Sequence, residues 1–257
     1  VGRASGSYPL GQGSESLSCY FPGCIIRVFL CLLLCYHQAM IPVVLLIILA
    51  VIAVVTYLVG SFFVDYSITR KERDPASFIP SDEIKACDRA DVNKNKEIRD
   101  RRVEEFHRNT YTEHPEIRTK EGFALRSSYY PQDGHKYAIM IHGYTGSRRE
   151  MQSIASMYYS WGFSVLTPDN RAHGESEGKY IGMGWLDKDD IQLWMEWIRN
   201  KDKDAKIVIQ GCSMGAATVM MTAGDNPPGL VAAVEDCGYT SVWDLFSDEL
   251  KTLFHLP

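Results

Sequence analysis

The sequence predicts an α/β architecture, a mostly parallel sheet with helices on both faces, preceded by an N-terminal transmembrane helix. Three observations carry that expectation. From about Thr112 onward, short apolar runs alternate with helical patterns, as parallel strands joined by crossover helices require. Ile41 to Val64 is an apolar run without Asp, Glu, Lys, Arg or His. The composition, 46% hydrophobic and 23% charged over 257 residues, is that of a chain able to bury a core, and excludes a disordered or collagen-like polymer.

Charge and cysteine usage narrow the function further. Lys and Arg total 27 against 32 Asp and Glu, a net charge of -5, so no global basic field recruits nucleic acid. The seven cysteines are an odd number without zinc-knuckle spacing in a chain too long to need a disulfide scaffold, and they read as reduced thiols. Cys19, Cys24, Cys31 and Cys35 crowd the N-terminal stretch, while Cys87, Cys212 and Cys237 are scattered singly. No H-E-x-x-H or equivalent cluster occurs, so neither a metal nor a cofactor is expected.

Residues 1–39 read as an unstructured or mis-annotated leader, with translation expected to begin at Met40, the first methionine. Residues 40–64 read as a single-pass anchor: at 1.5 Å per residue the apolar run spans roughly the 30 Å hydrocarbon core of a bilayer. Arg70, Lys71 and Arg73 follow it closely, which places the bulk of the chain in the cytoplasm by the positive-inside rule. Residues 65–111 form a juxtamembrane linker and cover helix, with Ser81 a candidate N-cap and Glu97 and Arg101 paired at i,i+4.

Residues 112–257 carry the α/β pattern. Glu116 to Thr119 and Phe123 to Tyr130 read as a hairpin, Tyr137 to His142 as a strand, Ser147 to Trp161 as a helix and Phe163 to Thr167 as a strand. Trp185 to Asn200 is a helix whose Ile191, Trp194, Met195 and Ile198 form a core-facing stripe. Lys206 to Gln210 is a strand, Ser213 to Ala223 a helix, Leu230 to Glu235 a strand, and Ser241 opens a last helical pattern.

Gly211-Cys212-Ser213-Met214-Gly215 joins a strand to a helix. That is the setting in which G-x-S-x-G lifts a serine into a cleft as a nucleophile. Cys212 occupies the variable position and reads as packing. His142-Gly143-Tyr144-Thr145-Gly146 follows an earlier strand, where a loop can present backbone donors to an oxyanion; the N–H groups of Tyr144 and Met214 are the candidates. A phosphate-binding loop is the weaker alternative there, because no Lys follows. The third segment, Pro168-Asp169-Asn170-Arg171-Ala172-His173-Gly174-Glu175-Ser176, closes another strand.

These three motifs in this order resemble the alpha/beta-hydrolase superfamily, and Asp236-Cys237-Gly238-Tyr239-Thr240-Ser241 looks like a membrane-anchored bacterial branch close to the serine aminopeptidase-like group. The resemblance implies an alpha/beta-hydrolase fold lacking its last strands. It implies Ser213 as nucleophile and a structural role for His142, Gly143, Asp169, Arg171, His173, Gly211 and Gly215. It also implies chain order nucleophile, acid, histidine, and so places the acid and the base on strands beyond Pro257; His255 follows a helix-like stretch and does not fit. Asp236 is the fallback acid, and His107, His114 and His135 read as surface residues.

The expected function is therefore a membrane-anchored serine hydrolase acting on a small-molecule or peptide ester or amide through an acyl-enzyme on Ser213. The alternative is a noncatalytic anchored binding protein or inactive fragment without the triad acid and histidine. Substrate, lid and oligomeric state are not legible.

Overall fold

The computed structural model describes residues 21–70 and 86–254, and the chain divides into two compact units, residues 1–63 and 64–257. Within the first unit, helix α1 (Phe21–Ser67, ending in the second) begins well before the expected anchor. Residues 21–39, expected as leader, are helical here. The reason lies in composition: Ile25 to Leu34 is almost wholly apolar with one charge, Arg27, and no proline lies between Pro22, at the helix start, and Pro42. Among the described residues one helix is long and apolar enough to cross a membrane, Ile26–Ser67, with mean hydropathy 3.1 in its most apolar window and no residue of that window buried by protein. A helix apolar on every face needs an apolar surrounding. Its 42 residues would extend roughly 63 Å, about twice a bilayer's hydrocarbon core.

In the second unit, α2 (Ala86–Asn109) is strongly charged yet buries Phe106 against Tyr130 and Tyr159, with ring centroids 4.6 and 5.3 Å apart. The N-cap expected at Ser81 lies outside the described residues. The strands are β1 (Glu116–Arg118), β2 (Ala124–Tyr130), β3 (Lys136–Ile141), β4 (Ser164–Pro168), β5 (Lys206–Cys212) and β6 (Leu230–Asp236). They form one sheet in the order β1-β2-β4-β3-β5-β6. β1 and β2 are an antiparallel hairpin and β2 runs antiparallel to β4, whereas the β4-β3-β5-β6 pairings are parallel.

Helices α3 (Gln152–Ser160), α4 (Asp187–Lys201), α5 (Met214–Gly224) and α6 (Val242–Phe254) complete the unit. Alternation along the strands sorts the core into two layers. Leu125, Ile139, Ile141, Leu166, Ile207 and Ile209 pack with Ile191, Trp194, Met195 and Ile198 of α4. Ala138, Met140 and Val165 pack on the other face with Phe106 of α2 and Ala155 of α3. Strands buried on both faces must read as continuous apolar runs, which is why Tyr137 to Ile141 could be placed from sequence.

Two local differences have physical causes. Residues 148–151 are turns rather than the first turn of α3, since the Asp169 carboxylate draws the Arg148 N–H to 2.7 Å. Residues 68–70, expected as linker, are strand-like: Thr69 bridges Tyr180, Ile181 N–H donates to Ile68 O at 2.7 Å, and Arg70 N–H donates to Lys179 O at 2.9 Å.

Candidate active site

The sheet's parallel strands all end on one side, and three of those ends bring the site together. β5 passes into α5 through Ser213, whose backbone is at φ 55°, ψ -115°. For a residue with a side chain that region costs on the order of 1–3 kcal/mol and persists only where the surroundings impose it. The surroundings here are backbone. A Cβ on Gly211 would overlap the Gly215 carbonyl oxygen and lie 2.8 Å from the Ala216 nitrogen. One on Gly215 would overlap the Ile141 carbonyl oxygen and lie 2.7 Å from that of His142. Ser213 N–H donates to Asp236 O at 2.8 Å, so the end of β6 holds the turn from the far side.

The loop after β3 closes on this turn. A Cβ on Gly143 would lie 3.2 Å from Cys212 O and 3.4 Å from Ser213 Cβ, so only a glycine lets the loop approach the serine this closely without displacement. Gly146 N–H donates to Gly143 O at 3.2 Å, folding the loop back, and Thr145 takes φ 62°. Tyr144 follows Gly143 and its hydroxyl donates to Ser67 O. Met214 is wholly buried at the start of α5, where helical N–H groups lack intrahelical acceptors. Tyr144 and Met214 meet Ile68, Ile181, Met183 and Tyr239 in an apolar cluster.

His142 is fully buried; its Nδ1 lies 2.8 Å from Gly143 O and its Nε2 accepts the Asn170 N–H at 3.0 Å. The acceptor role of Nε2 places the proton on Nδ1. Burial, followed by the neighbouring His173, pushes its pKa down to about 3, so the ring is neutral and locks the β3 loop to the β4 loop. His173 packs edge-on against it at 5.0 Å, with Nδ1 2.9 Å from Arg171 O, and burial lowers its pKa too. Asp169 is occupied in its own loop, accepting from Arg148 N–H at 2.7 Å and Glu175 N–H at 3.0 Å. Arg171 forms a two-pronged pair with Asp190, both contacts at 2.7 Å.

Asp236 ends β6 in register with Cys212, and the bond recorded for it is through its backbone. Among the described residues no histidine is hydrogen-bonded to Ser213: His135 pairs with Asp202 at 2.8 Å, His114 lies 3.5 Å from Ser128 Oγ, and His107 is exposed beside Phe106. His255 lies outside the described residues. The one group of metal-type ligands among the described residues, His135, Asp202 and Asp204, contains that surface ion pair. A cleft of about 330 Å³ against α4 is lined by Lys120, Glu121, Arg171, Asp190 and Arg199; Ser213 and Tyr144 do not border it.

Sequence reasoning missed two features near Ser213. The Ser67–Arg70 strap carries no motif; its signal is in three dimensions, where the Arg70 guanidinium donates to Ser176 O at 2.6 Å and Gly174 O at 2.7 Å. Cys212 and Cys237, read as isolated, lie with their sulfurs 3.9 Å apart. Parallel pairing of Cys212 with Asp236 creates that neighbourhood, and spacing along the chain could not show it.

A profile described as serine aminopeptidase, S33, matches residues 133–245. The chain is 29% identical over 149 residues to the uncharacterized protein YqkD of Bacillus subtilis, covering 54% of this chain and 49% of that one. It is 24% identical over 102 residues to a thermostable monoacylglycerol lipase of Bacillus sp., covering 38% and 39%. The matched segments thus span about half or less of these relatives. Among solved structures, the Pyrococcus furiosus esterase Pf2001 superposes with a TM-score of 0.53 at 26% identity, over 58% of this chain and 59% of that one.

Proposed function

We propose that this chain, a member of the alpha/beta-hydrolase superfamily, carries the nucleophile of a membrane-anchored serine hydrolase that cleaves an ester or amide through an acyl-enzyme on Ser213. One observation carries the reading: Ser213 is held at φ 55° on a strand-to-helix turn whose flanking glycines leave no space for a methyl group. Such strain is maintained where a side chain must be presented in a fixed direction.

In this mechanism Ser213 Oγ attacks the substrate carbonyl and its proton passes to a general base. The carbonyl oxygen takes up negative charge between the N–H groups of Tyr144 and Met214, the leaving group departs with the proton, and water releases the acyl group. Preorganised donors of this kind lower the barrier by roughly 3–4 kcal/mol each. His142 has its Nε2 taken by the Asn170 N–H, and His173, buried with no hydrogen bond to Ser213, serves the loop, so this reading assigns the base outside the described residues. The acid, which orients that base, is assigned with it, Asp236 being the fallback. The apolar cluster beside Tyr144 and Met214 suits an apolar acyl group, and the esterase and lipase relatives favour an ester over a peptide. The Ile26–Ser67 helix supports the anchor, and Arg70 the cytoplasmic side.

A fluorophosphonate probe, which phosphonylates activated serines, tests the reading on the complete gene product. Labelling is expected in the wild type and absent in Ser213→Ala. A complete, folded protein that does not label supports the noncatalytic binding protein instead.

A further inference from the structure

The thiols of Cys212 and Cys237 flank the candidate nucleophile in an arrangement that the hydrolase reading does not use. Their sulfurs are 3.9 Å apart. A disulfide needs about 2.05 Å between sulfurs, with Cα atoms about 4.4–6.8 Å apart. Cys237 lies one residue past the position in register with Cys212, beyond the end of β6, where φ 52° takes it out of the strand's alternation and lets the two sulfurs approach. The remaining gap falls to side-chain rotation and a small shift of the strand ends. Cys237 is exposed and Cys212 partly so.

The surroundings give the pair a consequence. Cys212 directly precedes Ser213 and Cys237 directly follows Asp236, and the Ser213 N–H is bonded to Asp236 O at 2.8 Å. A sulfur bridge would close a ring around that bond. Both sides of the ring are already unusual, with Ser213 at φ 55° and Cys237 at φ 52°.

We propose that Cys212 and Cys237 are an oxidative modification site, closing to a disulfide with a peroxide oxidant and switching off the Ser213 elbow. Peroxide meets the exposed Cys237 first, its thiolate displacing hydroxide to give a sulfenic acid. The Cys212 sulfur then attacks that sulfur, forming the S–S bond and releasing water. In sum, two thiols and one hydrogen peroxide give one disulfide and two waters, each sulfur losing one electron. Burial, and then the bond to Cys237, push the Cys212 thiol up to about 11, so the exposed Cys237 rather than Cys212 meets the oxidant, and Cys212 follows because its sulfur is held 3.9 Å away. A thiol reductant returns the pair, as expected of a transient bond in a reducing compartment. The loss of activity rests on Ser213 being the nucleophile; the bond itself does not.

The test treats the complete gene product in its membrane with hydrogen peroxide and reads two signals. Non-reducing peptide mapping should find the Cys212 and Cys237 peptides joined, 2 Da lighter than their sum, and should not find them joined in Cys237→Ser. Fluorophosphonate labelling should fall at least tenfold in the wild type, recover with dithiothreitol and stay unchanged in Cys237→Ser. Absence of the joined peptides overturns the site. A joined pair with undiminished labelling overturns its control of Ser213. If the reduced protein never labels, the hydrolase reading fails while the mapping still decides whether the bond forms.

Discussion

At the scale of single residues, the site is made by what is missing from side chains. Gly215→Ala puts a methyl group into the Ile141 carbonyl oxygen, a backbone atom in a central strand that cannot rotate away. We expect a loss of about 3 kcal/mol or more, read as a lowered Tm, together with loss of probe labelling. A second residue makes a pH prediction. Asp187 is almost wholly buried at the start of α4; its Oδ2 accepts the Gly184 N–H at 2.8 Å, and Oδ1 has no recorded partner. Burial pushes its carboxyl up from 3.8 to about 6. Between those values the folded chain holds a proton that the unfolded chain has released, so stability falls as pH rises through the interval and the whole penalty, up to about 3 kcal/mol, is present above it. Asp187→Asn carries no such proton. Its Tm relative to wild type should therefore climb from pH 4 to pH 7, and a difference independent of pH would count against the buried charge. Residues such as Gly211, Ser213 and Gly215 were legible because their constraint is local, five positions long. Asp187 was not, because its burial depends on how loop 181–186 folds over it, and a helix-opening aspartate reads as a routine first-turn acid.

At the scale of elements, the strap at residues 67–70 ties two loops that end different strands. Arg70 reaches Ser176 O and Gly174 O, and Tyr144 O–H reaches Ser67 O. Charge-assisted bonds of the Arg70 kind contribute about 1.5–3 kcal/mol when made to ordered groups, less where solvent reaches them. Arg70→Ala should lower the Tm by several degrees, and Arg70→Lys should restore only part of the loss, because an ammonium lacks the planar fork that serves two carbonyls. Tyr144→Phe keeps the ring and the backbone N–H but releases the hydroxyl tether. If the tether fixes the oxyanion donor, probe labelling slows about tenfold at nearly unchanged Tm; unchanged labelling would leave the tether a packing detail. The strands β3 and β4 were foreseeable from short apolar runs, since both are buried on both faces. The strap was not, because Ile68, Thr69 and Arg70 have neither the length nor the alternation of a strand and gain order only from pairing with residues 179–181.

At the scale of the whole molecule, the two units distribute their apolar side chains in opposite ways. The described residues from 64 onward turn a core inward, with Leu125, Ile139, Leu166, Trp194 and Ile209 fully buried. Residues 26–63 do the reverse: Leu30, Leu46, Ile52 and Leu58 are each more than half exposed on a helix without a polar face. Burying one such side chain is worth roughly 1.5–3 kcal/mol, so a helix of them left in water would cost far more than a domain's whole margin of stability. A bilayer removes that cost. The complete gene product is accordingly expected to stay in the membrane pellet after alkaline carbonate extraction, and the same protein lacking residues 1–63 to move to the supernatant. Because the truncated protein keeps the 67–70 strap and both core layers, its probe labelling should stay within about threefold of the anchored form. A labelled protein released by carbonate before truncation would remove the anchor from the account and leave the Ser213 chemistry standing.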